Sequence, residues 1–321
     1  MPRPHETGPI YLDCDTGIDD ALTLGYLVAE GADLVGVGTV SGNVSAELGA
    51  RNTLDVLALA GRADVSVAVG AHDPIGGTFQ GGAPSVHGAN GIGDVELPRS
   101  PAAPTGETAA AMLSRLARAH PGRLHVLAVG PLTNLALALE ADPELPELVA
   151  GVTIMGGAAL VPGNVTAVAE ANIHNDVVAA ARVLEAPWPV TVVGLDVTME
   201  ARFEQRHLDA LLAGPPVAVA LGRMLETYFR YYTPVLGRPA CALHDPLAAA
   251  VALGAVEPTL APVVPMEVDT TGGPGRGQTL VDLRSRYLGY PPLPGARHRI
   301  VLEVPQGFGD DLAAALLRLS D

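Results

Sequence analysis

Short apolar runs alternate with longer amphipathic stretches along most of the chain. Runs that are short and rich in Val, Ile and Leu are typical of buried strands. They predict strands at Pro9–Leu12, Leu34–Val40, Val65–Val69, Leu124–Val129, Val152–Met155 and Val190–Leu195. The stretches between them predict helices at Ala46–Ala60, Glu107–His120, Leu135–Ala141 and Val177–Glu185, with another beginning over Ala21–Leu27. This alternation predicts a Rossmann-like open α/β fold, in which a mostly parallel central sheet carries helices on both faces.

Two segments interrupt the alternation. The Gly-rich segment Gly70–Pro104 predicts a long loop, and such loops are usually functional, so we expect it to fold over the site. The segment Arg202–Arg238 predicts a helical insertion that is interrupted at Gly214-Pro215-Pro216. The rest of the chain predicts strands at Val263–Val268, Gln278–Leu283 and Arg299–Val304, a hairpin turn over Thr270–Gly277 and a closing helix at Asp310–Leu319. We expect a single α/β domain over residues 1–321.

Composition and charge exclude several classes of partner. A formal net charge of −16 argues against nucleic-acid binding, which needs a basic surface. Hydrophobic residues make up 48% of the chain, yet no uninterrupted apolar stretch reaches the ~20 residues that span a bilayer. The N-terminus lacks a secretory signal pattern, so we expect a cytoplasmic protein in which Cys14 and Cys241 are reduced thiols. A small neutral molecule suits this chain better than a polyanion.

The turn between the first strand and the first helix is unusually acidic. It carries four carboxylates, those of Asp13, Asp15, Asp19 and Asp20. The last two alone fit the ordinary preference of helix N-termini for acidic residues. All four lie where a strand ends, which is the edge at which open α/β sheets bind ligands, and they repel one another unless a cation or raised pKa values relieve the repulsion. Oxygen ligands favour a hard ion such as Ca²⁺ or Mg²⁺.

Further short motifs follow this acidic turn along the chain. They are Gly42-Asn43, Val86-His87-Gly88, Gly130-Pro131-Leu132-Thr133-Asn134, Met155-Gly156-Gly157, Asn164, Glu170-Ala171-Asn172, Gly194-Leu195-Asp196-Val197-Thr198 and His244-Asp245-Pro246. Together with the acidic turn, the ordered set resembles the nucleoside hydrolase family of the inosine-uridine preferring type, from residue 9 to about residue 250. The resemblance implies hydrolysis of a ribonucleoside to free base and ribose, as in nucleoside salvage, by a homo-oligomer such as a dimer or tetramer.

The same resemblance implies a metal site and a base. The implied cofactor is Ca²⁺, and its implied ligands are the carboxylates of Asp15, Asp20 and Asp245 and the main-chain carbonyl of Val129. Calcium takes ~6–8 oxygens, which leaves room for a water and for the ribose 2′- and 3′-hydroxyls. Because Ca²⁺ acidifies water only weakly, a carboxylate must help, and Asp19 is the implied general base. Asp13 is implied to support the metal ligands.

Other matched residues are implied to contact the substrate. Those implied at the ribose are Asn43, Asn164, Glu170, Asn172 and the apolar Met155. His244 is implied to protonate the leaving base, with His87 and Tyr232 beside it. Tyr228 and Tyr231 add aromatic surface nearby. Leu236 stands where some members of the family carry a second Tyr, so the sequence leaves the choice between purine and pyrimidine bases open.

Three other readings compete with nucleoside hydrolysis. A phosphatase of the haloacid dehalogenase type also begins with a strand that ends in Asp-x-Asp, but Gly17 stands where that family has Thr or Val, and the chain has no lysine to bind phosphate. A non-catalytic nucleoside-binding homologue has no support from the sequence, since the acidic residues are all present. The same fold acting on another N-riboside, such as a nicotinamide or modified-base riboside, stays open.

Overall fold

The computed structural model describes residues 8–319 as a three-layer α/β fold. Its strands are β1 (Ile10–Cys14), β2 (Leu34–Thr39), β3 (Val67–Val69), β4 (Leu124–Ala128), β5 (Val149–Met155), β6 (Val190–Val193), β7 (Arg202–Glu204), β8 (Ala240–Ala242), β9 (Val263–Val264), β10 (Met266–Val268), β11 (Thr279–Val281) and β12 (His298–Val301). Its helices are α1 (Ile18–Ala29), α2 (Ala46–Leu59), α3 (Pro84–His87), α4 (Ala109–Ala119), α5 (Thr133–Ala141), α6 (Leu145–Leu148), α7 (Ala171–Asn175), α8 (Val177–Glu185), α9 (Leu195–Thr198), α10 (Gln205–Leu212), α11 (Pro216–Leu236), α12 (Asp245–Ala252) and α13 (Phe308–Leu316), with a 3₁₀ turn at Arg286–Leu288.

The central sheet has eight strands in the order β3-β2-β1-β4-β5-β6-β12-β9. Every neighbouring pair is parallel except β12 and β9. The predicted Rossmann-like fold is therefore confirmed. The strand order reverses between β1 and β4, and open α/β sheets bind ligands in the crevice outside the carboxyl ends of the strands at such a switch point.

Alternation along β1 divides the core between the two faces of the sheet. Leu12 and Cys14 pack with α1 and the C-terminal helices, whereas Tyr11 packs with α4 and donates its hydroxyl to the carbonyl of Ala109 at 3.1 Å. Cys14 and Cys241 are both free and buried. No helix within residues 8–319 combines the length and apolarity that a membrane crossing requires.

Several predicted elements differ from the structure. The stretch at Arg202–Glu204 is not helical, because its alternating residues bury Phe203 while the strand pairs antiparallel with β8. The predicted strand Val263–Val268 is divided at Pro265, which cannot donate a ladder hydrogen bond, and its halves join different sheets. The loop Gly70–Pro104 contains the short helix α3, which begins at Pro84. The predicted hairpin is confirmed by the antiparallel pair β10 and β11.

Candidate active site

A cavity of about 140 Å³ opens at the carboxyl edge of the sheet. Every residue predicted to contact substrate lines it, namely Asn43, His87, Met155, Asn164, Glu170, Asn172 and Tyr232. It is also lined by Asp19, Val129, His244 and Asp245, and by Ala83, Val86, Val165, Ala171, Tyr228 and Tyr231. Asp13, Asp15 and Asp20 are buried behind this lining. Segments that are far apart in sequence thus meet where the sheet topology places a crevice.

Three carboxylates come together beside the cavity. Asp19 and Asp20 lie in the first turn of α1, Asp245 begins α12, and one carboxylate oxygen from each lies within 4.8 Å of the others. All three side chains are buried. Burial, followed by repulsion from Asp19, raises the pKa of Asp20 to about 7 and that of Asp245 well above its usual range. A bound cation would offset the repulsion among these three buried carboxylates, so the arrangement favours cation binding.

Asn43 holds the carboxylate of Asp15, a predicted metal ligand. That carboxylate accepts the backbone N–H of Asn43 at 2.6 Å and the Asn43 side-chain amide at 3.1 Å. Each Asp15 oxygen thus accepts one hydrogen bond from Asn43 and keeps a lone pair, although Asp15 is not among the three carboxylates of the close group. Burial, with repulsion from Asp20 next, raises the pKa of Asp15. Asn43 also donates to Asp20 at 3.3 Å and so links the two carboxylates.

Asp19 has one occupied and one free oxygen. Its Oδ2 accepts the hydroxyl of Tyr228 at 2.9 Å. Its Oδ1 is buried and has no hydrogen-bond partner within residues 8–319. The nearest imidazole nitrogen, Nδ1 of His87, lies 3.9 Å from that oxygen. A buried carboxylate oxygen without a partner is costly, and it is available to a proton or to a ligand of the cavity.

The loop Gly70–Pro104 does fold over the site, and it brings His87 to the start of α1. The Nδ1 atom of His87 accepts the backbone N–H of Ile18 at 3.1 Å, so the neutral ring carries its proton on Nε2. Burial lowers the pKa of His87. The contact depends on Gly17, where a Cβ would lie 2.5 Å from His87 Nδ1 and 2.7 Å from the Asn43 amide nitrogen.

Both ring nitrogens of His244 have partners. Its Nε2 lies 2.6 Å from the Tyr232 hydroxyl, and its Nδ1 lies 2.8 Å from the Thr198 hydroxyl. Burial lowers the pKa of His244. No local pattern predicts a role for Thr198, because only the tertiary packing of α9 against the start of α12 brings it to the histidine.

Asn172 joins the ends of two central strands. Its side-chain amide donates to the main-chain carbonyl of Val129 at 2.9 Å and to that of Met155 at 3.1 Å. The Val129 carbonyl, a predicted metal ligand, keeps a second lone pair for another partner. Val129 and Met155 both line the cavity, so Asn172 fixes the distance between the two strand ends at the site.

Glu170 and Asn164 already bond to the backbone. Glu170 caps α7, where its Oε1 accepts the N–H of Asn172 at 2.9 Å and its Oε2 accepts those of Gly157 and Ile173 at 3.0 and 3.1 Å. Burial raises the pKa of Glu170. Asn164 is exposed and accepts the N–H of Ala171 at 3.0 Å. These bonds hold both side chains at the cavity wall.

Asp13 lies on the sheet side of the carboxylate group. Its Oδ1 accepts the side-chain amide of Asn134 at 2.8 Å, and that amide also donates to the carbonyl of Thr39 at 2.9 Å. Its Oδ2 is buried without a partner among the residues that the structure describes, and burial raises its pKa to about 8. Asp13 does not line the cavity and connects β1 with β2 and α5.

With this geometry in place, comparison with known proteins identifies the family. Residues 10–306 match the family model described as inosine-uridine preferring nucleoside hydrolase. The chain belongs to this family. This nucleoside hydrolase is 36% identical over 254 residues to probable uridine nucleosidase 2 of Arabidopsis thaliana, a match that covers 78% of each chain. It is 34% identical over 316 residues to the pyrimidine-specific ribonucleoside hydrolase of Escherichia fergusonii, covering 96% of this chain and 98% of that one.

Solved structures agree with the sequence relatives. A purine-preferring ribonucleoside hydrolase from Gardnerella vaginalis superposes with a TM-score of 0.87 at 31% identity, covering 96% of this chain and 98% of that one. A plant nucleoside hydrolase also superposes with a TM-score of 0.87, at 28% identity, covering 97% and 98%. This family member is an N-ribosyl nucleoside hydrolase with the fold of its relatives.

Proposed function

We propose that this nucleoside hydrolase cleaves the N-glycosidic bond of ribonucleosides to free base and ribose in a Ca²⁺-dependent reaction. The observation that carries the proposal is the buried group of Asp19, Asp20 and Asp245 beside the cavity. Its donors are carboxylate oxygens, which suit a hard divalent cation. A divalent cation would supply positive charge and Lewis acidity at this point.

The residues present fit such a cation. We assign as its ligands the carboxylates of Asp15, Asp20 and Asp245 and the main-chain carbonyl of Val129. The burial that raises the pKa values of these carboxylates makes their charges costly without a counterion. Backbone N–H groups bond to Asp15 and Asp20, and no arginine within residues 8–319 pairs with any of the three carboxylates. We assign Asp13 to the support of these ligands, from the end of β1 two residues before Asp15.

Asp19 is the residue that we assign as general base. Its Oδ1 is free to accept the proton of an attacking water, and its Oδ2 is fixed by the Tyr228 hydroxyl. A carboxylate that is held in one orientation and lacks a partner on its other oxygen meets the geometric requirement for a base. Positive charge develops on the ribose in an oxocarbenium-like transition state, and the neighbouring carboxylates stabilise it.

The ribose side of the cavity is polar, and the base side is aromatic. We assign Asn43, Asn164, Glu170 and Asn172 to the sugar hydroxyls and Met155 to its apolar face. On the base side, Tyr232 covers Nε2 of His244, so the Tyr232 hydroxyl gives its proton to the leaving base while Nε2–H of His244 donates a hydrogen bond to the phenolate oxygen that results. His87 has Nδ1 occupied by Ile18 and offers only its Nε2 proton to the cavity.

Uridine is the substrate that we propose to test first. Two relatives that match most of this chain are named as a uridine nucleosidase and as a pyrimidine-specific hydrolase. The structural neighbour at 31% identity is named as purine-preferring, so inosine belongs in the same panel. Leu236 ends α11 and does not line the cavity, whereas Tyr228 and Tyr231 do, so the aromatic wall is complete without a tyrosine at position 236.

The test is a substrate panel with purified protein. Ribose release is followed with uridine, cytidine, inosine, adenosine and nicotinamide riboside, each with added Ca²⁺ and after exhaustive chelation. We expect turnover of at least one ordinary nucleoside that is lost on chelation and restored by Ca²⁺. Release from nicotinamide riboside alone would assign a different N-riboside, and full activity after chelation would contradict the calcium assignment.

A further inference from the structure

The four-residue helix α9 contacts two parts of the cavity wall from behind, and the chemistry proposed above does not use it. Thr198 is 0% exposed, and its hydroxyl lies 2.8 Å from Nδ1 of His244. Two residues earlier, the Asp196 carboxylate accepts the backbone N–H groups of Ala159 and Leu160 at 2.8 and 2.7 Å. Two polar side chains of one helical turn therefore hold the leaving-group histidine and a loop of the cavity wall.

The Thr198 hydroxyl determines which nitrogen of His244 carries the proton. Within residues 8–319 this hydroxyl has no hydrogen-bond partner except Nδ1 of His244. A buried hydroxyl proton needs an acceptor, and the Tyr232 hydroxyl can donate into the cavity that Tyr232 lines, whereas Thr198 faces only the imidazole, so Thr198 donates to Nδ1. The neutral imidazole then carries its proton on Nε2 and donates it to the Tyr232 oxygen at 2.6 Å. Without Thr198 the ring could rotate or change tautomer, and this donation would be lost.

Asp196 acts on the loop of residues 156–170, between β5 and α7. This loop carries Asn164 and Val165 to the cavity. Bonds from a carboxylate to backbone N–H groups are about twice as strong as neutral ones, so the two bonds of Asp196 anchor Ala159 and Leu160 near the start of the loop. Beyond it, Leu160 and Val165 are 58% and 51% exposed, so packing contributes little to their positions.

We infer that α9 is a positioning element in which Thr198 orients His244 toward the leaving base and Asp196 holds the loop that carries Asn164 and Val165 against the sugar. The inference rests on the proposed function, because it takes His244 to serve the leaving group. Neither residue touches the substrate, so each acts through another residue, and the two have different kinetic signatures.

The first test compares Thr198→Val with Thr198→Ser. Valine keeps the shape but lacks the hydroxyl, whereas serine keeps the hydroxyl. With the best nucleoside of the panel, we expect kcat to fall at least ~10-fold in Thr198→Val, in line with a weakened acid. With p-nitrophenyl riboside, whose leaving group departs without a proton, we expect a change under about 3-fold. Thr198→Ser is expected to recover most of the lost activity, and Thr198→Ala replaces Thr198→Val if that variant does not fold.

The second test is Asp196→Asn with Asp269→Asn as its matched control. Asp269 also accepts a backbone N–H, that of Thr271 at 2.8 Å, but it lies in the hairpin turn away from the cavity. We expect Asp196→Asn to raise KM about 5–10-fold for both substrates with kcat within about 3-fold, since a displaced loop weakens substrate binding. The control is expected to match wild type.

His244→Ala, measured beside these variants, separates the possible failures. Suppose that His244→Ala is impaired only on nucleosides while Thr198→Val turns them over like wild type. This result overturns the positioning role of Thr198 and leaves the proposed function intact. Equal losses on both substrates in His244→Ala overturn the proposed role of His244. An unchanged KM in Asp196→Asn, or a fall in kcat alone, overturns the loop assignment.

Discussion

Two helices of this protein begin with the same pair of acidic residues in opposite surroundings. Asp19 and Asp20 lie in the first turn of α1, and Asp310 and Asp311 lie in the first turn of α13. Both pairs satisfy the preference of helix N-termini for negative charge. The first pair is 5% and 0% exposed, whereas both residues of the second pair are exposed. A local pattern therefore does not distinguish a structural pair from a functional one.

The partners of the two pairs explain the difference. Asp310 pairs with Arg206 and lies 3.1 Å from Nε2 of His207, and the Arg206 guanidinium holds the pKa of Asp310 well below its usual range. Asp20 accepts only amide N–H groups within residues 8–319, and burial raises its pKa to about 7. The protein compensates the charge at α13 and leaves it uncompensated at α1, where the proposed cation would complete the site.

The largest expected effect comes from Asp19→Asn. The amide keeps the shape of the side chain but cannot accept the proton of water, so we expect kcat to fall at least ~10²-fold with Ca²⁺ present. Nucleoside turnover at saturating Ca²⁺ measures it, and Asp310→Asn at the other helix should keep full activity. Activity of Asp19→Asn within a few-fold of wild type would mean that another residue activates the water.

The next effect is stabilisation of the fold by Ca²⁺. A cation bound only by the folded state at 100 times its Kd adds about 2.7 kcal/mol to the free energy of unfolding. We expect the melting temperature of wild type and of Asp310→Asn to rise by roughly 5 °C with Ca²⁺ after exhaustive chelation. Asp20→Asn should show no such rise. A rise in the melting temperature of Asp20→Asn equal to that of wild type, measured by calorimetry, would contradict this prediction.

A smaller effect is expected at Gly17, whose missing side chain lets His87 and Asn43 lie close to the start of α1. The Cβ in Gly17→Ala would meet His87 and Asn43 at 2.5 and 2.7 Å, so both side chains must move away. We expect kcat/KM to fall roughly 10-fold, because a misplacement of about 1 Å is enough to impair positioned groups. Gly106→Ala is the matched control, since its Cβ would meet nothing within 4 Å. Equal kcat/KM values for the two variants would show that this close approach is dispensable.

The smallest effect is expected from Asp310→Asn on stability. Its depressed pKa stabilises the folded state above the usual pKa of an aspartate, and that contribution disappears as the pH falls through the depressed value. Because the pair is exposed, we expect the melting temperature at pH 7 to fall by no more than about 2 °C, with a smaller difference near pH 3. A larger loss at pH 3 than at pH 7 would contradict the assigned partners.

The sequence predicts this fold well because strand and helix periods are local properties. The main sheet strands and the acidic turn of α1 follow from them directly. The contacts made by Tyr228 and Thr198 do not, since they join residues 209 and 46 positions apart. The strand Arg202–Glu204 was likewise missed, because three residues form a strand only when a partner such as β8 lies beside them.

The packing of α1 also bears on when this enzyme becomes competent during its synthesis. The first helix is covered by the last, where Tyr26 meets Phe308 edge-on with ring centroids 5.8 Å apart. Asp245 and the inserted strand β12 likewise come from the second half of the chain. Contacts of such long range form late in folding. A nascent chain that stops before α12 would therefore contain the acidic turn but no assembled centre, and hydrolysis would begin only once the C-terminal helices had docked.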